Sequence, residues 1–424
     1  MHVVASLLGI EDVALDASKR VTSINAANGR VSLHLLLLDP AGGEPIVSFD
    51  LGLKSNAALR VDSAPDEGLF VCSALGEISG DGSKSVVCGV TRIGGAYLLA
   101  YTQDPSGQWQ KAIISPDVAG LDFIRSISIG DINDDGVQEI VLASRPNGRV
   151  VFFQYEGGAF SERVLEENTF GRGTTNAREV LVTDADGDGR NEVLVATART
   201  DAEKWASTPG LLLQFKHHEG TFTRTVLEEF GGTTHSRMMR VGQIGTQPGR
   251  AVVVNEVGIF HNDTQAIDPP TKMSLYRPLG GGWEKEHISE IEGAVKSRGF
   301  ALGDIDNDGQ CELVLGTRAV EMSSPSHLYV FKQMEDARWK GDIIESSGAM
   351  GYHHVEAADI DGDGIDEILA SDDSKGLLKS YKLTSDGWRT REFLSWDHAL
   401  FCVSMFCLED NPSDAGRKLG RPAP

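Results

Sequence analysis

No stretch of this sequence reaches the roughly 18 apolar residues that a membrane-spanning helix needs. Bases are scarce as well: 39 lysines and arginines face 62 acids, for a net charge of −23. That balance argues against a nucleic-acid or anionic membrane surface as partner. Cysteine is sparse and odd in number, with Cys72, Cys88, Cys311, Cys402 and Cys407 in 424 residues. Only Cys72 and Cys88 fall on neighbouring predicted strands, and buried free thiols are the expectation, which leans away from an oxidising compartment. The N-terminal "MHVVASLLGIEDVALDASKR" has no basic region and no cleavage site, so no signal peptide is expected. Also missing are a Walker loop, a dinucleotide-binding glycine fingerprint and a Ser-His-Asp elbow. With 40% apolar residues, the chain suffices for two or three ordinary domains or one large repeat architecture.

One acidic string is written four times: "DINDDGVQE" at 131–139, "DADGDGRNE" at 184–192, "DIDNDGQCE" at 304–312 and "DIDGDGIDE" at 359–367. Each has the form D-x-[DN]-x-D-G-x-x-E, and together they hold 17 carboxylates. Acids packed this densely repel one another unless something positive sits among them. Oxygens at positions one, three, five and nine, with glycine at six for a sharp turn, resemble the first part of an EF-hand calcium loop. The flanks, however, are β-branched and alternating ("FIRSISIG" before; "EIVLAS", "EVLVAT", "ELVLGT" after), so each string is the turn of a hairpin. The expected ligands are Asp131, Asn133, Asp135 and Glu139; Asp184, Asp186, Asp188 and Glu192; Asp304, Asp306, Asp308 and Glu312; and Asp359, Asp361, Asp363 and Glu367. One Ca2+ per loop, about four in all, would move the net charge from −23 to −15.

The first aspartates are spaced by 53, 120 and 55 residues, and the middle gap is close to two periods. A degenerate copy accordingly lies at Gln243, and another at Glu77, both without a usable ligand set. Each period continues with two further strand-like runs, and four strands per repeat of about 50 residues mark a β-propeller. The expected fold is therefore all-β: a seven-bladed propeller of four-stranded antiparallel blades. The blades lie near 69–120, 121–172, 173–231, 232–292, 293–347 and 348–396. A closing blade would join 397–410 to N-terminal strands from 20–55 ("VTSINAA", "RVSLHLLLLD", "PIVSFDL"), which removes two sheet edges. Residues 413–424 read as a flexible tail. These strings resemble the FG-GAP or VCBS repeats of integrin-like propellers over roughly residues 20–410. That resemblance implies the fold and calcium. It leaves the activity open, because the scaffold carries adhesion modules, lectins and lyases alike.

In a propeller the inner strands begin at one face, around the central tunnel. Six residues before each first aspartate stand Arg125, Arg178, Arg298 and His353, and before Gln243 stands Arg237. Two residues earlier come Phe123, Asn176, His235, Lys296 and Gly351, with Tyr352 and His354 beside them. Arginines bridging neighbouring blades through Glu179 or Asp122 are the competing explanation. Several like charges at one mouth, however, call for an anion between them. Three long connections, "ARTDAEKWASTPG" with Trp205, "NEVGIFHNDTQAIDPPTKM" and "TRAVEMSSPSH", return to the same face.

Arginine beside histidine or tyrosine suits β-elimination next to a carboxylate or carbonyl. His235, His353, His354, Tyr352 and Arg237 are thus candidate catalytic groups. Arg125, Arg178, Arg298, Lys296, Asn176 and Trp205 are candidate substrate contacts. A Zn2+ on His235, His353 and His354 is the alternative use of the imidazoles. "GTTHSRMMRVG" with "GYHHVEAADIDGDG" is similar to the propellers of rhamnose–glucuronate lyases and aldos-2-ulose dehydratases, which implies elimination on a sugar. The cupin domains of the dehydratases have no counterpart in this sequence. The expected partner is an anionic saccharide, met by a monomer, with no nucleic acid and no membrane. A lectin-like or adhesion propeller is the rival reading. The compartment stays open: the free cysteines and missing signal favour the cytoplasm, the calcium loops the outside.

Overall fold

The apolar runs on either side of each acidic string do form strands. The computed structural model describes the chain except for residues 1–18, 26–30, 39–59, 64–67, 93–94, 104–108, 119–120, 122, 146–147, 168–174, 200–209, 232–234, 262–265, 269, 292–294, 320–323, 362, 396–400 and 410–424. The described residues are all-β, without a helix. They fall into two compact units, Val71–Lys296 and Met1–Phe70 with Ser297–Pro424.

The first of these units holds four antiparallel four-stranded sheets, each named here by its loop. The Glu77 sheet runs Gly68–Glu77, Lys84–Arg92, Gly95–Gln103 and Trp109–Ser115. The Asp131 sheet runs Phe123–Gly130, Glu139–Arg145, Val150–Glu156 and Ala159–Glu166. The Asp184 sheet runs Thr175–Thr183, Glu192–Arg199, Gly210–His218 and Thr221–Phe230. The Gln243 sheet runs His235–Gly242, Ala251–Val257, Thr271–Leu279 and Gly282–Ile291. Its long connection carries a small hairpin, Ile259–His261 with Ala266–Asp268.

The second unit holds the Asp304 sheet (Val295–Gly303, Glu312–Ala319, Ser326–Gln333, Trp339–Ser347) and the Asp359 sheet (Tyr352–Ala358, Glu367–Asp372, Leu377–Thr384, Gly387–Ser395). A further sheet pairs the C-terminal strand Phe401–Glu409 with Val31–Leu38, then Lys19–Asn25, then Arg60–Ser63. Its third N-terminal strand is thus Arg60–Ser63; the expected Pro45–Leu51 lies outside the described residues.

The second strand of the Asp184 sheet reads as a continuous apolar run because it is covered on both faces. In "EVLVAT" the alternation of the pleat divides the work. Val193 and Val195 pack with Val141, Ala143 and Phe152 of the Asp131 sheet, while Leu194 and Ala196 pack with Met239, Val252 and Val254 of the Gln243 sheet. Each fully buried valine or leucine contributes about 1.5–3 kcal/mol. The outermost strands, such as Thr221–Phe230, face solvent with polar residues.

Sheets approach closely where the inner strand ends. A Cβ on Gly130 would lie 2.5 Å from Val182, and one on Gly303 2.5 Å from Ala357. The neighbouring strand leaves no room for it. Gly130→Ala should therefore lower stability by about 1–3 kcal/mol through overpacking, measured as a fall in the denaturant midpoint at constant slope.

Candidate functional site

The inner strands do not pair regularly. In the Asp131 sheet Ile124 faces Ser144 and Ser126 faces Ala143, which leaves Arg125 as an extra residue. In the Asp184 sheet the same step passes over Arg178, between Ala177 and Glu179. In the Gln243 sheet it lies between Ser236 and Met239, around Arg237 and Met238. In the Asp359 sheet it lies between Tyr352 and Val355, around His353 and His354. A β-bulge of one added residue bends the strand and re-aims its side chain. Arg125, Arg178, Arg237 and His353, found by counting back from the loops, thus stand at bulges.

The bulges are held from the second strand. Asn255, fully buried, accepts hydrogen bonds at Oδ1 from the backbone N–H groups of Arg237 (3.0 Å) and Met238 (2.8 Å). In the Asp359 sheet Ser371 Oγ accepts from the His354 N–H at 3.1 Å and donates to the His354 carbonyl at 3.4 Å. His353 Nδ1 lies 3.1 Å from Asp373 Oδ2; the imidazole is 16% exposed and the carboxylate 1%. The His353 and His354 rings stack at 5.6 Å with 10° between planes.

Glu179 gives one expected bridge, with a different partner. It accepts from Arg240 Nη1 at 3.1 Å and from the Met239 N–H, so it ties the Asp184 bulge to the Gln243 strand. Burial raises its carboxyl above the ordinary range, and Arg240, the Met239 N–H and, more weakly, Arg125 pull it back. Tyr352 corrects an expectation. Its ring is fully buried with Ala301, Val314 and Tyr381, and burial, then Glu345 and Asp372, raise its hydroxyl far above the ordinary range. A phenol so placed meets no substrate. The side chains of His235, Asn176, Lys296 and Arg298 lie outside the described residues, as does Trp205. Among the described residues, the groups able to hold a metal are acidic ones, and none contains histidine.

At the other end of the same strands stand the acidic loops, and they share one hydrogen-bond plan. The glutamate at position nine accepts the N–H of position two: Ile132 to Glu139 at 2.9 Å, Ala185 to Glu192 at 2.8 Å, Ile305 to Glu312 at 2.9 Å and Ile360 to Glu367 at 2.8 Å. The first aspartate accepts the N–H of the glycine at position six, at 2.9, 3.1, 3.0 and 2.9 Å. Those glycines, Gly136, Gly189, Gly309 and Gly364, have φ between 86 and 93°, where a side chain is strained. In three of the loops residue eight ties the loop to the one before it. Gln138 Oε1 accepts from the Glu77 N–H (2.8 Å), Asn191 Nδ2 donates to the Asp131 carbonyl (2.9 Å), and Asp366 Oδ2 accepts from the Asp304 N–H (2.9 Å). Sequence reasoning passed over these links.

Carboxylates of Asp184, Asp186 and Glu192, of Asp304, Asp306 and Asp308, and of Asp359, Asp361 and Glu367 gather closely enough to hold a cation. In each of these three loops, however, an ammonium already stands among the acids: Lys216, Lys332 and Lys382. The donor set suits a divalent ion by chemistry, and the lysine ammonium contacts the same oxygens. Among the described residues no lysine stands among the acids of the Asp131 loop; Arg190 reaches Asp134 at 3.6 Å, and Gln154 Nε2 donates to Asp135 Oδ2 at 3.2 Å. There burial pushes Glu139 up to about 7 against its Ile132 hydrogen bond, and Asp135 and Asp131 push the same way.

With this geometry in hand, the FG-GAP-like repeat family matches the chain at residues 131–195 and 304–370, the two stretches that hold all four acidic strings. No curated protein matches the chain. Among solved structures, a candidate 6-phosphogluconolactonase of Bacteroides fragilis is similar with TM-score 0.51 and 12% identity over 93% of this chain and 98% of that one. A candidate 6-phosphogluconolactonase of Bacteroides uniformis is similar with TM-score 0.51 and 11% identity over 93% and 100%. Identities this low carry the fold alone. The strings are FG-GAP-like repeats, and the fold is propeller-like.

The bulge support is open to measurement. Asn255→Leu leaves the Arg237 and Met238 donors without their acceptor and should cost about 1–3 kcal/mol. Asn255→Asp, which keeps the acceptor, should lose less in the same thermal melt.

Proposed function

We propose that the protein acts on a sugar bearing a carboxylate or carbonyl and removes a substituent from it by β-elimination. The observation that carries this reading is the bulge, which sets a cation or imidazole at one matching position of inner strand after inner strand. Arg125, Arg178 and Arg237 supply guanidinium groups suited to a planar carboxylate. Neutralising that group makes the neighbouring C–H more acidic.

His353 is the base in this reading. The 3.1 Å contact from Asp373 to its Nδ1 supports the orientation and charge of the ring while Nε2 takes the proton, the arrangement of a base held by a carboxylate. The electron pair left on carbon forms the double bond, the β carbon–oxygen bond breaks, and the departing oxygen takes a proton. Asp373 remains ionised. Calcium, where it binds the acidic loops, is structural, because the loops lie six residues along the strand from the bulges, or about 20 Å. The names of the two structural neighbours concern a sugar acid as well, although their likeness is one of fold.

A lectin-like module is the second reading, since guanidinium and imidazole groups also bind sugar acids without chemistry. Incubation with uronate-containing glycans and keto sugars separates the two. Elimination gives an unsaturated product with new ultraviolet absorbance, whereas a lectin gives binding and no product. His353→Ala should abolish turnover and leave binding within a few-fold. Arg237→Ala should weaken both, by about 2–4 kcal/mol in transition-state stabilisation. Binding without product in the unaltered protein would favour the lectin.

A further inference from the structure

We infer that in the Asp184, Asp304 and Asp359 loops the cation is a lysine of the same sheet, and that these three loops take no divalent ion. Lys216 Nζ lies 2.6 Å from Asp186, 2.9 Å from Asp188 and 3.1 Å from Glu192. Lys332 Nζ contacts Asp306, and lies 2.7 Å from Asp308 and 3.5 Å from Glu312. Lys382 Nζ lies 2.6 Å from Asp361, 2.7 Å from Asp363 and 2.7 Å from Glu367. In all three the ammonium reaches positions three, five and nine, the oxygens that would surround a calcium ion at 2.3–2.6 Å. Ammonium and ion want the same point.

Strand register puts the lysine there. Val193 faces Phe215, Leu313 faces Phe331 and Ile368 faces Tyr381, so the next pair along is glutamate nine with the lysine of the third strand. Ile140 faces Phe153 in the Asp131 sheet, which places Gln154 opposite Glu139. Its amide donates a hydrogen bond and neutralises nothing. Where the chain has lost glutamate nine it has lost this lysine too. The Glu77 sheet pairs Ser85 with Thr102 through their hydroxyls at 2.5 Å. The Gln243 sheet has Ala251 there, and Arg277 donates instead to the Ile244 carbonyl at 2.5 Å. Opposite position nine, therefore, three sheets pair glutamate with lysine, one pairs glutamate with glutamine, and the two degenerate sheets have neither glutamate nor lysine.

Elemental analysis and calorimetric titration with calcium chloride test this on the full chain. The unaltered protein should bind at most one calcium ion, at the Asp131 loop. Lys216→Met, Lys332→Met and Lys382→Met should each admit one ion more and make the melting temperature rise with added calcium. Four ions in the unaltered protein would overturn the inference, and so would methionine variants whose calcium count matches it. If a variant does not fold, the count in the unaltered chain decides alone.

Discussion

The structure depends on how four carboxylates can share one tight turn. Left alone they would repel, and the hairpin joining the first two strands of the sheet would open. Two means hold it. The glutamate at position nine is withdrawn into the sheet, where it is fully or nearly fully buried and accepts the backbone N–H of position two. Burying a carboxylate without a partner would cost several kcal/mol, so the backbone hydrogen bond is a condition of the turn, and a lysine opposite adds to it in three loops of four. The first aspartate meanwhile accepts the glycine N–H, which fixes a left-handed residue in place.

From that turn the rest of the sheet follows. Its exit aims the second strand between two neighbours, where both faces are covered and only apolar residues fit. In three of the loops residue eight, next to the buried glutamate, points along the row and bonds the preceding loop. The Asp131 and Asp184 sheets are therefore joined twice, by apolar side chains through the middle and by a polar link at the end. At the opposite end of the inner strand the pairing slips by one residue, and there the sheet presents arginine or histidine.

Much of this was legible in the sequence, because a period of about 50 residues with a fixed glycine and fixed acids survives any uncertainty about strand ends. Counting back from the aspartates found Arg125, Arg178, Arg237 and His353 without knowledge of the bulges, since equal offsets along equivalent strands land on equivalent places. Tyr352 was misplaced for the same reason. A strand alternates strictly until a bulge adds a residue, and the addition at His353–His354 turns Tyr352 to the core side together with Val355. No composition signal marks that change of parity.

The lysines were written in the chain as well, in a form that position-by-position reading does not catch. Phe215-Lys216, Phe331-Lys332 and Tyr381-Lys382 stand where the fourth sheet has Phe153-Gln154. An aromatic-lysine pair on a third strand is unremarkable until the register sets it opposite the loop glutamate some 15–24 residues away. Reading the loop by itself suggests that its charge is answered from outside. Reading the loop with its sheet shows the answer supplied from within in three cases of four. A family motif thus specifies the oxygens, while the facing strand decides which cation they meet.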